Sequence, residues 1–324
     1  MDSSNSIIFS VDGRLDLRDK IVAYIRRRLK NIEKGSMTNR KFKDGEVNVN
    51  FNDTIRGKRV YLLTSPNNSD EILKLIFAID AARRASAKEI IPIITYFPYA
   101  RQDKRDQSRG SINAKVLASI YEERGASKVI TMELHADQIE GFFEIPVSNI
   151  KGKYLFADYV AEKAREHGGD VVLASADAGG GKRLEKMASL VHKRHGIDLP
   201  LVFAHKTRIE DNKVDKIRII GEVKGKYVIF LDDMLDTGGT LCAAATGVMT
   251  EGAIGCEGIV THLLGSGDAV KNIEKSPLNV MLGSDSLVIP VHEKFVEISA
   301  GSEIGKAIIA DDYSISLSRL QEDV

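Results

Sequence analysis

The thirteen residues Val228-Ile-Phe-Leu-Asp-Asp-Met-Leu-Asp-Thr-Gly-Gly-Thr240 constrain the fold more than any other segment. Four apolar residues ending in adjacent carboxylates read as a buried strand whose C-terminal tip delivers Asp232 and Asp233 to a site. Asp236-Thr-Gly-Gly-Thr240 follows as a tight turn, and Leu241-Cys-Ala-Ala-Ala opens a helix. Gly238 and Gly239 let successive backbone N–H groups converge, while Thr237 and Thr240 add hydroxyl donors. With the positive end of a helix behind it, such a turn is built to hold a phosphate. A Gly-Gly pair alone is a weak turn signal, but two acids at the end of an apolar strand are costly unless they have a ligand. Carboxylates suit sugar hydroxyls or Mg2+ rather than phosphate. A phosphate beside a polyol and a metal describes ribose 5-phosphate. Strand, turn and helix in that order also call for an α/β fold.

Alternation of the same kind runs through the chain. Strands are expected at Ile7-Ile-Phe-Ser10, 60–64, 89–96 and 129–134, with helices over 16–34, 69–86 and 113–124. The second half repeats the scheme, with helices over 157–167, 181–195 and 241–251 and strands at 171–174, 201–204, 227–231 and 257–263. Such alternation predicts mainly parallel sheets covered by helices on both faces, with ligands at the strand C-termini. At 324 residues two domains are expected, 1–150 and 151–300, crossing over near Pro146 to Lys153, with a tail of about 300–324 that packs back on the first.

Composition narrows the functional classes. Lys+Arg and Asp+Glu are both 46, so the formal net charge is zero, which argues against bulk attraction to nucleic acid or membrane. Any anion site must therefore be local. Cys242 and Cys256 lack metal-ligand spacing and form no disulfide framework, which fits a reducing cytosol. The N-terminal residues lack a basic region leading into an apolar core, and no apolar run approaches a membrane span. The expectation is a soluble cytoplasmic protein.

Three further segments bear on the chemistry. Tyr96-Phe-Pro-Tyr-Ala-Arg-Gln-Asp-Lys-Arg-Asp-Gln-Ser-Arg109 follows a strand and is densely charged, as a solvated loop would also be. In Thr131-Met-Glu-Leu-His-Ala-Asp-Gln-Ile-Glu-Gly-Phe-Phe143, His135 follows a strand; as a lone histidine it is a metal ligand or a hydrogen-bonded half-buried side chain. In Val171-Val-Leu-Ala-Ser-Ala-Asp-Ala-Gly-Gly-Gly-Lys-Arg183 a strand again ends in an acid, Asp177, ahead of a glycine turn and a helix. Taken together, these segments make the chain resemble the ribose-phosphate pyrophosphokinase (PRPP synthetase) family from about Phe42 to Ser316. The resemblance rests on Arg101 to Arg109 with Ala114-Lys115, Leu134 to Phe143, Asp177 to Arg183, His205-Lys-Thr-Arg208 and Lys41-Phe-Lys-Asp-Gly-Glu46. The Val228–Thr240 segment resembles the PRPP-binding motif that this family shares with type I phosphoribosyltransferases.

The resemblance implies two phosphoribosyltransferase-like (Rossmann-like) α/β domains, each a mainly parallel sheet flanked by helices. It also implies transfer of the β,γ-diphosphoryl group of Mg-ATP to ribose 5-phosphate, giving PRPP and AMP. On that basis Asp236, Thr237, Gly238, Gly239 and Thr240 would hold the 5-phosphate, and Asp232 and Asp233 the ribose hydroxyls. His135 and Asp177 would hold Mg2+, with Arg101, Gln102, Asp106 and His135 placing ATP. Phe42 would stack on adenine while Asp44 and Glu46 contact the base, all three from an adjacent subunit of a dimer-based homo-oligomer, a hexamer by resemblance. Lys206 and Arg208 would be catalytic, closing over the β-phosphate from a polar lid that runs to Lys216.

A regulatory anion site would draw on Arg56, Ser86, Arg109, Ser314 and Ser316. Departures from the family pattern bear on it: Glu89 puts a carboxylate where a base is common, and Arg319 stands at an aromatic position. The expectation is weak or absent allosteric inhibition by ADP. Elsewhere Ser175-Ala176 replaces Ser-Pro, Ser111 replaces a proline, and Ser65-Pro-Asn-Asn-Ser-Asp70 is atypical after its strand. Two other functions compete: a catalytically silent regulatory paralogue, and a phosphoribosyltransferase that consumes PRPP. The latter needs the Val228–Thr240 motif but not the segments around Arg101 and His135.

Overall fold

A computed structural model describes residues 5–28, 32–105, 107–207 and 216–322. The chain divides into two compact units, Met1–Lys151 with Ser299–Val324, and Gly152–Ile298.

The first unit runs β1 (Ser6–Ser10), α1 (Leu15–Arg26), β2 (Ile32–Lys34), β3 (Met37–Lys41), β4 (Val47–Phe51), β5 (Arg59–Thr64), α2 (Ser69–Arg84), β6 (Glu89–Ile94), α3 (Asn113–Arg124), β7 (Val129–Met132) and β8 (Val147–Ile150). Six of these strands form one sheet in the order β2-β1-β5-β6-β7-β8, every neighbouring pair parallel. Near-continuous apolar runs such as Val60 to Leu63 and Ile90 to Ile94 are what a sheet buried on both faces demands. Where the pattern predicts one helix over 16–34, the helix stops at Arg26 and Ile32–Lys34 becomes an edge strand beside β1. Burial of Ile32 against that sheet outweighs the local helical pattern. Residues 147–150, expected in the crossover, form the opposite edge strand.

The second unit runs α4 (Lys153–Glu166), β9 (Val171–Ser175), α5 (Gly181–His195), β10 (Leu201–Thr207), β11 (Lys216–Ile220), β12 (Tyr227–Leu235), α6 (Gly239–Thr250), β13 (Gly255–Leu263), α7 (Ala269–Lys275), β14 (Met281–Ser284) and β15 (Phe295–Ile298). Its sheet has the order β11-β10-β9-β12-β13-β14-β15, parallel except for the antiparallel β10–β11 pair. Separate apolar clusters cover the two faces, one built with α4 and α5, the other with α6 and α7. Among the described residues no helix is long and apolar enough to cross a membrane.

The last segment, α8 (Gly301–Tyr313) and α9 (Leu317–Glu322), belongs to the first unit. Helix α8 lies close on α1. A Cβ on Gly301 would stand 2.9 Å from Lys20 Cβ, and one on Gly305 would stand 2.6 Å from Tyr24 Cδ1. Its C-terminal end is fixed by charge. Arg59 at the start of β5 pairs with Asp312 at 2.7 Å and with Glu89 at 2.9 Å, and Lys128 reaches Asp311 at 2.6 Å. The buried Tyr61 hydroxyl lies 3.0 Å from Asp311 Oδ2 and 2.8 Å from Asp312 Oδ1. Burial, then the two carboxylates, push that hydroxyl's pKa well up, so it stays a donor. Tyr61→Phe removes this donor from two partly buried acceptors and is expected to cost about 1–2 kcal/mol. Urea unfolding followed by circular dichroism checks it, and an unchanged midpoint would mean that Arg59 and Lys128 suffice.

Candidate active site

In the second unit the expected phosphate and sugar groups converge at the C-terminal end of β12. The strand is longer than its apolar run predicts: it continues through both acids to Leu235. Asp232 is therefore half-buried, and Asp233 is only 4% exposed. Asp236 and Thr237 then lead into Gly238, whose φ of +76° is a left-handed conformation that glycine adopts without strain. Gly239 and Thr240 are the first helical residues of α6 rather than part of the turn before it.

No side chain caps this helix. The first intrahelical bond runs from Cys242 N–H to the Gly238 carbonyl at 2.9 Å, so the N–H groups just before it have no intrahelical acceptor. The carbonyls of Asp236 and Thr237 take donors from Ser266 N–H (3.1 Å) and Asn272 Nδ2 (2.9 Å). Thr237, Gly239 and Thr240 are exposed. The turn thus presents uncommitted donors at the positive end of a helix, which is what an anion requires.

The other glycine turn of this unit is arranged differently. Asp177, at the end of β9, accepts from Gly179 N–H and Gly180 N–H, both at 2.8 Å, on its Oδ1. Its own N–H is 3.3 Å from Ser175 Oγ. One oxygen of the proposed metal-binding carboxylate is thus spent on closing the turn.

A residue given no role by sequence reasoning completes the acid pair. Arg183, in the first turn of α5, places Nη1 2.7 Å from Asp232 Oδ1 and Nη2 2.8 Å from Asp233 Oδ1. Asp233 N–H also donates to Asp232 Oδ1 at 2.8 Å. Burial raises the Asp232 carboxyl to about 7, and the neighbouring Asp233 adds to the rise against the pull of the Arg183 guanidinium. The hint in the sequence is that Arg183 closes the Asp177–Arg183 segment, two residues after the strand-end glycines. Lys206 lies on β10 with its backbone opposite Ile217, and Arg208 lies outside the described residues.

In the first unit two of the singled-out segments meet at the ends of adjacent strands β6 and β7. The buried Phe97 ring meets Phe143 edge-on at 5.8 Å and Tyr121 at 6.4 Å. Gln138 Nε2 donates to Asp103 Oδ2 at 2.7 Å across the two loops. The loop bearing Arg101 and Gln102 is thereby held against the loop bearing His135, and all three side chains are exposed. Gln102 is tied into its loop through its N–H to Tyr99 O (2.8 Å) and its side chain to Asn113. Asp106 lies outside the described residues.

Phe42, Asp44 and Glu46 occupy the tip of the antiparallel β3–β4 hairpin, which the helix–strand alternation does not predict. Phe42 N–H donates to Glu46 O at 2.8 Å, and Asp44 Oδ1 accepts from Glu46 N–H at 3.1 Å. Phe42 is 44% exposed there, whereas the base of the hairpin is anchored by Phe51 against Phe9 (4.7 Å) and by Asn39 Nδ2 on Val11 O (2.6 Å).

Of the five residues considered for a regulatory anion, the structure joins Arg56 to Ser86 at 3.3 Å. Ser314, with φ +53°, follows α8, and Ser316 bonds Ser318 at 2.7 Å. Arg109, exposed on the loop after β6, shares no hydrogen bond with the other four. Glu89 is not the bare negative charge that the sequence suggests, because it shares the Arg59 guanidinium with Asp312.

Among the described residues no group of three or more His, Cys, Asp or Glu could hold a metal. Mg2+ prefers oxygen donors, typically one or two carboxylates plus substrate phosphates. Asp177 with its second oxygen fits a cation carried in by a polyphosphate, and it is a better-matched donor than the His135 imidazole.

Similarity to known proteins agrees with both halves of this picture. Residues 6–125 match the N-terminal domain of ribose phosphate pyrophosphokinase, and residues 147–281 match the phosphoribosyl transferase domain. Ribose-phosphate pyrophosphokinase 2 of Enterococcus faecalis is 37% identical over 306 residues, spanning 93% of this chain and 91% of that protein. Ribose-phosphate pyrophosphokinase 1 of Listeria monocytogenes is 35% identical over 320 residues, spanning 97% and 96%. The crystal structure of phosphoribosylpyrophosphate synthetase from Mycobacterium smegmatis superposes with a TM-score of 0.85 at 29% identity, covering 96% of this chain and 100% of that one. The chain belongs to the ribose-phosphate pyrophosphokinase family.

Proposed function

We propose that the protein is an active ribose-phosphate diphosphokinase. The anomeric hydroxyl of ribose 5-phosphate attacks the β-phosphorus of ATP, the bond from that phosphorus to the α-phosphate oxygen breaks, and AMP leaves. The observation that carries this reading is the acid pair Asp232–Asp233 beside the uncapped N-terminus of α6. One turn offers donors to a phosphate and the adjacent strand offers acceptors to hydroxyls, which matches the two ends of a phosphorylated sugar. Retention of the Arg101 segment, inside the region that matches the family's N-terminal domain, and of the His135 segment just beyond that region supports synthesis of PRPP over its consumption.

In this reading Asp236 to Thr240 hold the 5-phosphate while Asp232 and Asp233 accept from the ribose hydroxyls. Arg101, Gln102 and Asp106 place ATP. Lys206 and Arg208 neutralise charge as it develops on the β-phosphate. Diphosphoryl transfer of this kind calls for positioning and charge stabilisation rather than a covalent nucleophile. Mg2+, when bound, would shield the triphosphate, with Asp177 and His135 as its protein donors. A silent paralogue would have no use for so complete a set of charged residues. Release of AMP from ATP, measured with and without ribose 5-phosphate, is the deciding assay. Release that requires ribose 5-phosphate supports the synthetase, and none under any condition supports a silent subunit.

Lys206→Ala and Arg208→Ala are each expected to lower kcat by roughly two to three decades with little change in KM for ribose 5-phosphate. Near-normal turnover would remove that residue from the catalytic role.

A pH dependence follows from Asp232. An ionised carboxylate accepts from hydroxyls more strongly than a neutral carboxyl, and this one sits at about 7, so falling pH weakens an acceptor and turns one of its oxygens into a donor. Between about pH 8 and pH 6, KM for ribose 5-phosphate is expected to rise about three- to tenfold while KM for ATP moves little. Asp232→Asn should flatten that dependence down to the phosphate's own ionisation near about pH 6. A profile identical in the two proteins would take Asp232 out of it.

The exposed Phe42 at a hairpin tip supports an ATP site completed by a neighbouring subunit of a homo-oligomer. Mixing inactive Phe42→Ala with inactive Lys206→Ala should then restore part of the activity after reassembly. A verified mixed oligomer without activity would mean that each chain builds its own ATP site.

A further inference from the structure

Consecutive residues of a strand point to opposite faces, so Asp232 and Asp233 do not start as a matched pair. The structure makes them one. β9 keeps register with β12 only as far as Ala174 opposite Phe230, whereas β13 continues on the other side to Leu263 opposite Leu235. Beside the acids, β12 therefore has a paired strand on one flank only, and the Arg183 guanidinium bonds to both carboxylates. That group spans the two carboxylates at 2.7 and 2.8 Å, taking Oδ1 of each. The second oxygen of each carboxylate lies outside this fork.

We propose that Arg183 is a positioning residue that sets the spacing and orientation of Asp232 and Asp233, so that the pair selects a sugar with two adjacent hydroxyls. The inference rests on the ribose 5-phosphate reading of this site. A planar guanidinium suits the task because its two Nη atoms are a fixed distance apart, while an ammonium is a single point charge on a flexible stem. It also keeps two neighbouring carboxylates together without cancelling their charge, since one cation faces two anions. A vicinal diol brings two donors at a fixed spacing. Two acceptors locked at a matching spacing reward both donors together, and a sugar that lacks one hydroxyl forfeits one of the two bonds. The plainer alternative is a staple between α5 and β12 that contributes stability and no selectivity.

Calorimetric titration of the full-length protein with ribose 5-phosphate, 2-deoxyribose 5-phosphate and inorganic phosphate separates the two. Wild type is expected to prefer the ribose compound by at least about tenfold. In Arg183→Gln the affinity for ribose 5-phosphate should fall about tenfold or more and the preference should drop below about threefold, with phosphate binding unchanged. Arg183→Lys should keep the charge and recover only part of the preference, and it carries the comparison alone if the Gln variant does not fold. A thermal midpoint that falls while the preference stays at the wild-type value in the folded variant would show a staple and overturn the proposal. Equal binding of both sugars by wild type would overturn it too and leave the functional reading standing. Failure of wild type to bind either sugar would overturn the functional reading and the proposal with it.

Discussion

Two carboxylates on consecutive residues of a buried strand repel each other and lose hydration, and one guanidinium meets both. β9 stops pairing with β12 before the acids, and Arg183 in the first turn of α5 reaches both Asp232 and Asp233. The acid pair depends on the order of strands in the sheet. That order depends in turn on apolar strands buried on both faces by α4, α5, α6 and α7. The strand tip that looks like a free charged end is therefore bonded to a distant cation. Even with the cation in place, burial keeps the Asp232 carboxyl near neutrality, which couples the site to pH.

The unit's two glycine turns show how similar sequence patterns acquire different chemistry. After β9, Asp177 folds back onto two N–H groups of its own turn and satisfies them internally. After β12, Asp232 and Asp233 are committed to Arg183, and α6 begins with no side-chain cap. An anion approaching α5 must compete with a carboxylate, whereas one approaching α6 meets donors. The helix dipole is alike in both places, and what differs is which groups have already used it.

The first unit relies on aromatic contacts at one end of its strands and ion pairs at the other. Phe97 and Phe143 hold the loops after β6 and β7 together, giving the exposed Arg101, Gln102 and His135 a common base. At the opposite ends, Arg59, Lys128 and Tyr61 fasten the last helical turn of α8 to the sheet. Glu89 is absorbed into this fastening, which changes the meaning of its charge. Read along the chain it opposes an anion site; paired with Arg59 it is part of the clamp.

Periodicity and turn chemistry sufficed for the α/β class, for most of the strand–helix order and for the acid–glycine segment, because these depend on neighbours within about one helical turn or a few strand residues. The limits of α5 at Gly181 and His195 and of α3 at Asn113 and Arg124 were legible for that reason. Other features have no local signal. Ile32–Lys34 becomes a strand because β1 offers an open edge, and the β3–β4 hairpin because it packs on Phe9 and Val11. The tail from Ser299 is held in the first unit by contacts that include the Arg59–Asp312 ion pair and the Tyr61–Asp311 hydrogen bond, which span 253 and 250 positions. Arg183 stands 49 and 50 positions from the acids it bridges. The sequence named the two acids and the glycine turn after them; which cation faces the acids, and which of two similar turns keeps its donors open, was decided only when distant segments met at the strand ends of one sheet.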